Sequence, residues 1–363
     1  MHYMIIKNRI LQFNQFQMKK ILAIIGARPQ FIKHAPIEIA FRGHFDLRAL
    51  HTGQHYDHNM STVFFDEFGL NKPHYQLAVG SSGHGIQTGQ MMAEIEPICE
   101  EFEPDYVMVY GDTNSTLAGA LVASKLGIKV IHVEAGLRSF NREMPEEINR
   151  VLTDHISDIL IVPKEEAINN LQNEGIINNV YLTGDIMKDM VFLARKRMKD
   201  NFKGENYYYA TIHRPYNTDT KGRLLSVLDA LNGLTHRVLF PMHPRTKNFA
   251  IKEGIDIKQF DNIEVTDPKG YFDNIEALAG SQGLITDSGG MQKEAYILKK
   301  KCVTIRTETE WVETTSTGWN TLLFHDLSDL QKSLSSESGA HDPELYGSGN
   351  AAKEILNHIL DFN

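Results

Sequence analysis

Two cysteines, Cys99 and Cys302, among 363 residues supply no disulfide framework, and such sparing use fits a reducing compartment. No stretch reaches the roughly 18–20 uninterrupted apolar residues of a membrane-spanning helix. The opening run MHYMIIKNRILQFNQFQ lacks a long apolar core and a small-residue cleavage site, so it reads as a poor signal peptide. A surplus of positive charge is missing as well. Lys and Arg number 37 against 46 Asp and Glu, and the net of −9 argues against general nucleic-acid binding, which needs clustered cations. It leaves room for a local basic pocket around one phosphorylated small molecule. Also absent are the G-x-G-x-x-G and Walker fingerprints, H-E-x-x-H, zinc-like His/Cys spacing and a G-x-S-x-G elbow. Neither a redox cofactor nor a metal is therefore expected, and no membrane or nucleic-acid partner.

What the chain does contain is an ordinary soluble composition, 42% hydrophobic and 23% charged, over a length that suggests two domains. Short apolar runs alternate with helix-like segments, the pattern of parallel sheets with crossover helices. Strands are expected at 21–25, 47–51, 106–110, 130–133, 159–162 and 180–182. After a connection near 184–190 the pattern restarts, with strands at 207–212, 237–242, 263–265, 283–286 and 302–305. Helices are expected at 115–126, 145–155, 223–234 and 290–298, and a closing one at 351–360. Residues 1–17 read as an extension ahead of Met18, where the first domain begins. The fold class is α/β, two doubly wound domains, and ligands in such sheets sit beyond the carboxyl ends of the strands.

The motifs fall at those strand ends. GARPQFIK follows the first strand: Gly26 permits a tight turn, Arg28 offers a planar fork for phosphate or carboxylate, and Lys33 lies five positions on. A turn with solvated cations is the plain alternative. In TDSGGMQKEA, Ser288, Gly289 and Gly290 would offer backbone N–H groups at a helix start, where the dipole favours a diphosphate. Glu294, one turn later, would accept from ribose hydroxyls, although Ser288 or Asp287 could simply cap the helix. Asp112 in YGDTNST, Glu134 in HVEAGLRS and Glu146 in MPEEINR are acids suited to proton transfer, and crowding would raise the pKa of at least one. Asp112 could also be a cap, and Glu146 behind Pro145 could be ordinary first-turn acidity. His213 in ATIHRP and His243 in FPMHPR end strands and could bind diphosphate or assist proton transfer.

Taken in order, GARPQFIK, HTGQHYD, YGDTNSTLAGAL, HVEAGLRSFNREMPEEINRVLTDH, LTDSGGMQKEA and RTETEWVE resemble the UDP-N-acetylglucosamine 2-epimerase family in its non-hydrolysing branch. The resemblance implies a GT-B-like fold, two Rossmann-like domains facing each other across a cleft. It divides the chain into an N-terminal domain over 18–188, a UDP-binding domain over 189–345 and a closing helix, 346–363, that packs back on the first domain. It also implies a cytoplasmic homodimer serving polysaccharide synthesis. By motif match, Arg28 and Lys33 flank the phosphates, Ser288, Gly289 and Gly290 form the diphosphate loop, and Glu294 is the ribose acceptor. Asp112, Glu134 and Glu146 fall on the catalytic carboxylates and His213 on the diphosphate-side histidine, with His243 and Arg306 as further substrate contacts.

Departures point within the family. TEW at 309–311 and GARPQ at 26–30 resemble a sub-branch that includes epimerases of UDP-2,3-diacetamido-2,3-dideoxy-glucuronate. Arg138, Arg142 or Arg306 reaching a C6 carboxylate would favour that substrate. The aromatic expected against uracil is out of register, with Tyr271 or Phe272 as substitutes. A hydrolysing epimerase and a GT-B glycosyltransferase are the rival readings.

Overall fold

Runs such as KILAII, YVMVY and ILIV bury nearly every side chain, because a parallel sheet covered by helices on both faces has no solvent face to leave polar. The computed structural model describes residues 18–54, 65, 67–198, 204 and 206–362. The extension at 1–17 and residues 55–57 of HTGQHYD lie outside the described residues. The chain divides into two compact units, one running to Thr183 and taking in the residues from Ala352 onward, the other Gly184–Ala351.

The first unit carries a seven-stranded sheet in the order β3-β2-β1-β4-β5-β6-β7. Its strands are β1 Lys20–Ile25, β2 Asp46–His51, β3 Tyr75–Gln76, β4 Tyr106–Tyr110, β5 Lys129–Val133, β6 Ile159–Val162 and β7 Val180–Leu182. Every pairing is parallel. The crossover helices are α1 Arg28–Phe41, α2 His84–Phe102, α3 Asn114–Lys125, α4 Pro145–His155 and α5 Glu165–Asn173. Leu22, Ile24, Val107 and Val109 of the central strands pack with Met91, Ile95 and Cys99 of α2 and with Ala118 and Val122 of α3.

In the second unit the order is β10-β9-β8-β11-β12-β13. Its strands are β8 Tyr207–Thr211, β9 Arg237–Pro241, β10 Ile263–Thr266, β11 Gly283–Thr286, β12 Lys301–Thr304 and β13 Asn320–Leu322. Its helices are α6 Ile186–Arg197, α7 Pro215–Thr218, α8 Lys221–Asn232, α9 Pro244–Lys252, α10 Tyr271–Gly280, α11 Gly289–Ile297, α12 Val312–Ser316 and α13 Leu330–Ser335. The last helix, α14 Ala351–Asp361, leads into Phe362, whose ring lies 6.5 Å from that of Tyr106, while His358 stacks on Tyr181 at 4.3 Å.

The two sheets repeat one plan. In each, the first strand of the unit lies between its second and fourth, so the chain reverses direction across the sheet at β1/β4 and at β8/β11. Loops leaving such a pair of strands diverge and open a crevice, which is where open α/β sheets bind ligands. The strands β3 and β13 were absent from the expected pattern. Short, on sheet edges and part polar (Tyr75–Gln76 and Asn320–Leu322), they offer no apolar run to read. Among the described residues, no helix is long and apolar enough to cross a membrane.

Candidate active site

At the first reversal point the loop after β1 passes so close to its neighbours that a Cβ on Gly26 would collide with Ser115 and Thr52, whose hydroxyls hydrogen-bond each other at 2.8 Å. That loop is held by a residue the motif reading passed over. The buried Gln30 amide accepts from the N–H groups of Gly26 and Ala27 at 2.7 and 3.0 Å. Its NH2 donates to the Tyr110 carbonyl at 2.8 Å and to Thr113 Oγ1 at 2.9 Å. One side chain thus ties the loop after β1 to the loop after β4. Arg28 is exposed at the first position of α1.

Lys33 does not stand apart as a phosphate cation. Its ammonium pairs with the Glu134 carboxylate, each side chain 12% exposed. Glu134 has φ +72°, a left-handed backbone that costs a non-glycine residue roughly 1–2 kcal/mol. The turn is imposed by the sheet: the N–H groups of Glu134 and Ala135 both reach the Ile161 carbonyl of β6, at 3.0 and 2.9 Å. Gly111, at φ +61°, sits directly beneath, since a Cβ there would lie 3.4 Å from both Glu134 Oε2 and Lys33 Nζ.

Asp112 pairs with Arg150 of α4, and its carbonyl accepts from Asn149 Nδ2 at 2.9 Å. The helix cap is instead the next residue, Thr113, whose side chain accepts from the Thr116 N–H. Glu146 is exposed in the first turn of α4 behind Pro145. Its neighbour Glu147 takes the structural work, accepting from Ser139 N, Ser139 Oγ and Phe140 N at 2.8–2.9 Å and from Arg150 at 2.9 Å. Burial pushes the Glu147 carboxyl up, but the Ser139 and Phe140 hydrogen bonds and the Arg150 charge outweigh it and hold the group below its ordinary value. The expected crowd of like charges is corrected accordingly. Lys33 faces Glu134 and Arg150 faces Asp112, because α1 and α4 each turn a cation toward a strand-end acid.

At the second reversal point the organiser is Asp287, fully buried immediately after β11. Its carboxylate accepts from His213 N at 3.1 Å, Arg214 N at 2.9 Å and Asn217 Nδ2 at 3.0 Å, and faces His213 Nδ1 at 3.1 Å. His213 is therefore oriented by a buried acid while its ring stays 45% exposed. Ser288 is the N-cap of α11, but its side chain makes no cap bond, and its N–H donates to Thr286 Oγ1 at 2.9 Å. Gly289 and Gly290 open α11, with Gly290 exposed, and Glu294 is buried on the same helix.

His243 caps α9, its Nδ1 accepting from Arg245 N at 3.2 Å. Arg306 forks onto Glu310 with N–O distances of 3.0 and 2.9 Å. Arg138 is committed to Asp154 and, through two 2.7 Å bonds, to Glu174, and is not available to a substrate carboxylate. Of the two aromatics considered for uracil, Tyr271 is buried, and Phe272 has the Arg197 guanidinium 4.0 Å over its ring. Among the described residues no group of three or more His, Cys, Asp or Glu converges as a metal site.

Comparison with known proteins agrees with this fold. The family model for UDP-N-acetylglucosamine 2-epimerase matches residues 38–360. A UDP-N-acetylglucosamine 2-epimerase homolog of Methanococcus maripaludis is 47% identical over 350 residues, covering 93% of this chain and 98% of its own. The UDP-2,3-diacetamido-2,3-dideoxy-D-glucuronate 2-epimerase of Pseudomonas aeruginosa is 44% identical, with 94% and 99% covered. Among solved structures, the Methanocaldococcus jannaschii UDP-GlcNAc 2-epimerase in complex with UDP-GlcNAc and UDP superposes with a TM-score of 0.81 at 39% identity, covering 95% of this chain and all of that one. The architecture is thus GT-B-like α/β, and the chain belongs to the UDP-N-acetylglucosamine 2-epimerase family.

Proposed function

We propose that the protein is a UDP-sugar 2-epimerase, an isomerase that interconverts UDP-N-acetylglucosamine and UDP-N-acetylmannosamine without hydrolysing them. The observation that carries this reading is Glu134, a carboxylate held on a left-handed backbone with an ammonium beside it, at the reversal point of the first sheet. Backbone strain of this kind is retained where a side chain must be aimed.

The substrate's C2 proton is not acidic while C1 carries the diphosphate, because C1 is then no carbonyl. Departure of UDP with the C1–O electron pair puts positive charge on C1 and makes that proton removable. One carboxylate of Asp112, Glu134 and Glu146 takes it, giving a 1,2-glycal. Another acid returns a proton to the opposite face of C2 as UDP re-adds to C1, so atoms and charge balance with no outside reagent. His213, Arg28 and the N–H groups at Ser288, Gly289 and Gly290 would stabilise the leaving diphosphate, an electrostatic task, with Glu294 on the ribose. Lys33, by its contact with Glu134, would hold that carboxylate ionised as a base.

N-acetylglucosamine is preferred over the uronate as the sugar because Arg138 and Arg306, two of the cations that could meet a C6 carboxylate, are already spent on Asp154, Glu174 and Glu310. We also read the chain as a cytoplasmic homodimer. Ile148 and Leu152, one turn apart on α4, the helix's N-cap residue Met144 and the preceding Phe140 are exposed apolar side chains close along the chain. Light scattering after size exclusion should give about twice the 41.2 kDa chain mass.

The test is proton NMR in D2O with UDP-N-acetylglucosamine. A second anomeric UDP-sugar signal with deuterium entering C2 supports the reading. Free N-acetylmannosamine with stoichiometric UDP would make the enzyme a hydrolysing one. Turnover of the diacetamido-glucuronate alone would transfer the same chemistry to that substrate.

A further inference from the structure

His132 lies on β5 two residues before Glu134 and is completely buried. Its Nδ1 is 2.7 Å from Asp154 Oδ1, and its Nε2 is 2.7 Å from the Gly111 carbonyl. A carbonyl only accepts, so Nε2 carries a proton. Asp154 Oδ2 already accepts from Gly136 N at 3.1 Å and Arg138 at 2.7 Å, which marks Asp154 as an ionised acceptor. Nδ1 then carries a proton too. Burial pushes the Asp154 carboxyl up, but the His132 and Arg138 charges and hydrogen bonds bring it below its ordinary value, consistent with that ionisation. With both ring nitrogens donating, His132 and Arg138 face Asp154 and the part-exposed Glu174, two cations against two carboxylates.

The ring's two partners belong to the segments that bear the acids. Gly111 immediately precedes Asp112 and packs under Glu134, and Asp154 sits on α4, which also carries Glu146 and the Arg150 that pairs with Asp112. We infer that His132 is a positioning residue: as an imidazolium clamped between Asp154 and the Gly111 carbonyl, it fixes the spacing of the three carboxylate-bearing segments. This rests on the carboxylate roles assigned under the proposed function. The ring touches no exposed surface and takes no part in the proton transfers themselves.

The experiment is 15N-histidine NMR of the full chain at neutral pH, with His132→Gln identifying the resonances. Two slowly exchanging N–H protons with imidazolium nitrogen shifts are expected for His132. One N–H with a neutral-ring shift overturns the inference. Kinetics give a second readout, since displacing a catalytic group by an ångström costs about 100-fold. His132→Gln and Asp154→Asn should lower kcat by about 10- to 100-fold with KM little changed. Wild-type kcat in a folded, UDP-binding His132→Gln chain would overturn the positioning role. A wild-type chain that epimerises nothing would sink the functional reading instead, and the imidazole spectrum would still decide the ring's state.

Discussion

Replacing Asp287 by asparagine exchanges one acceptor oxygen for a donor at a fully buried position, and the consequences follow from its four partners. The carboxylate accepts from two backbone N–H groups, those of His213 and Arg214, and from Asn217 Nδ2, and it faces His213 Nδ1. An asparagine has two settings. With its NH2 toward Arg214 and Asn217, two donors face a donor. With its NH2 toward His213, the ring must accept at Nδ1 and move its proton to Nε2, reversing the tautomer that Asp287 imposes. The second setting leaves fewer groups unmatched and is the one expected. Its cost is one charge-assisted hydrogen bond, about 1.5–3 kcal/mol. The larger effect is on chemistry. On a ring no longer backed by a buried anion, His213 is a weaker electrostatic partner for the leaving diphosphate, and removing one such preorganised group costs about 10²–10³-fold in kcat. The Asp287→Asn chain should therefore unfold at modestly lower urea, bind UDP, and epimerise about 100-fold more slowly. Asp287→Ala should be worse for stability than for tautomer, because four donors lose their acceptor. The assays are urea unfolding, UDP titration and the D2O exchange experiment run side by side. An Asp287→Asn enzyme with undiminished kcat would refute the claim that this carboxylate sets the state of His213.

Glu134→Gln should keep UDP affinity while losing nearly all C2 deuterium incorporation, and wild-type exchange by that variant would remove Glu134 from the reaction. Burial pushes the Cys99 thiol up to about 11 and the Cys302 thiol up to about 12, so neither should be alkylated by iodoacetamide at neutral pH until the chain unfolds; rapid labelling of the folded protein would contradict the burial. The folded Glu147 carboxyl lies below 4.5, so the folded state binds fewer protons there than the unfolded chain. Its stabilisation is present above that unfolded value and is lost as pH falls through the folded one. Glu147→Gln should accordingly flatten the acid limb of a stability-versus-pH curve, measured by urea unfolding, and an unchanged limb would speak against it.

Strand positions were legible because buried parallel strands are nearly continuous apolar runs, and β4, β6 and β11 begin and end where the pattern says. The edges were not. β3 and β13 are short and part polar and form no apolar run, and β8 and β9 each stop one residue short of the apolar run, where Ile212 and Met242 already belong to the loops. Among site residues, Arg28, Lys33, Asp112, Glu134 and His213 stand out by type and by place after a strand. Gln30, His132, Asp154 and Asp287 do not, since a buried amide, histidine or aspartate has no sequence signature apart from its partners. Asp287 offered one hint, its place before the Ser-Gly-Gly of α11, and that hint pointed to a cap rather than to His213.

The order of motifs along the chain was enough by itself to establish two α/β units and the family, because periodicity and strand-end chemistry are local and survive in one dimension. Which side chains meet was decided only by tertiary structure. Lys33 reaches Glu134 across 101 positions, and Asp287 reaches His213 across 74. Such pairings exist because the strand orders β1-β4-β5 in one sheet and β8-β11 in the other bring distant strand ends side by side. A sequence displays the charges; the sheet's reversal point determines which of them neutralise one another.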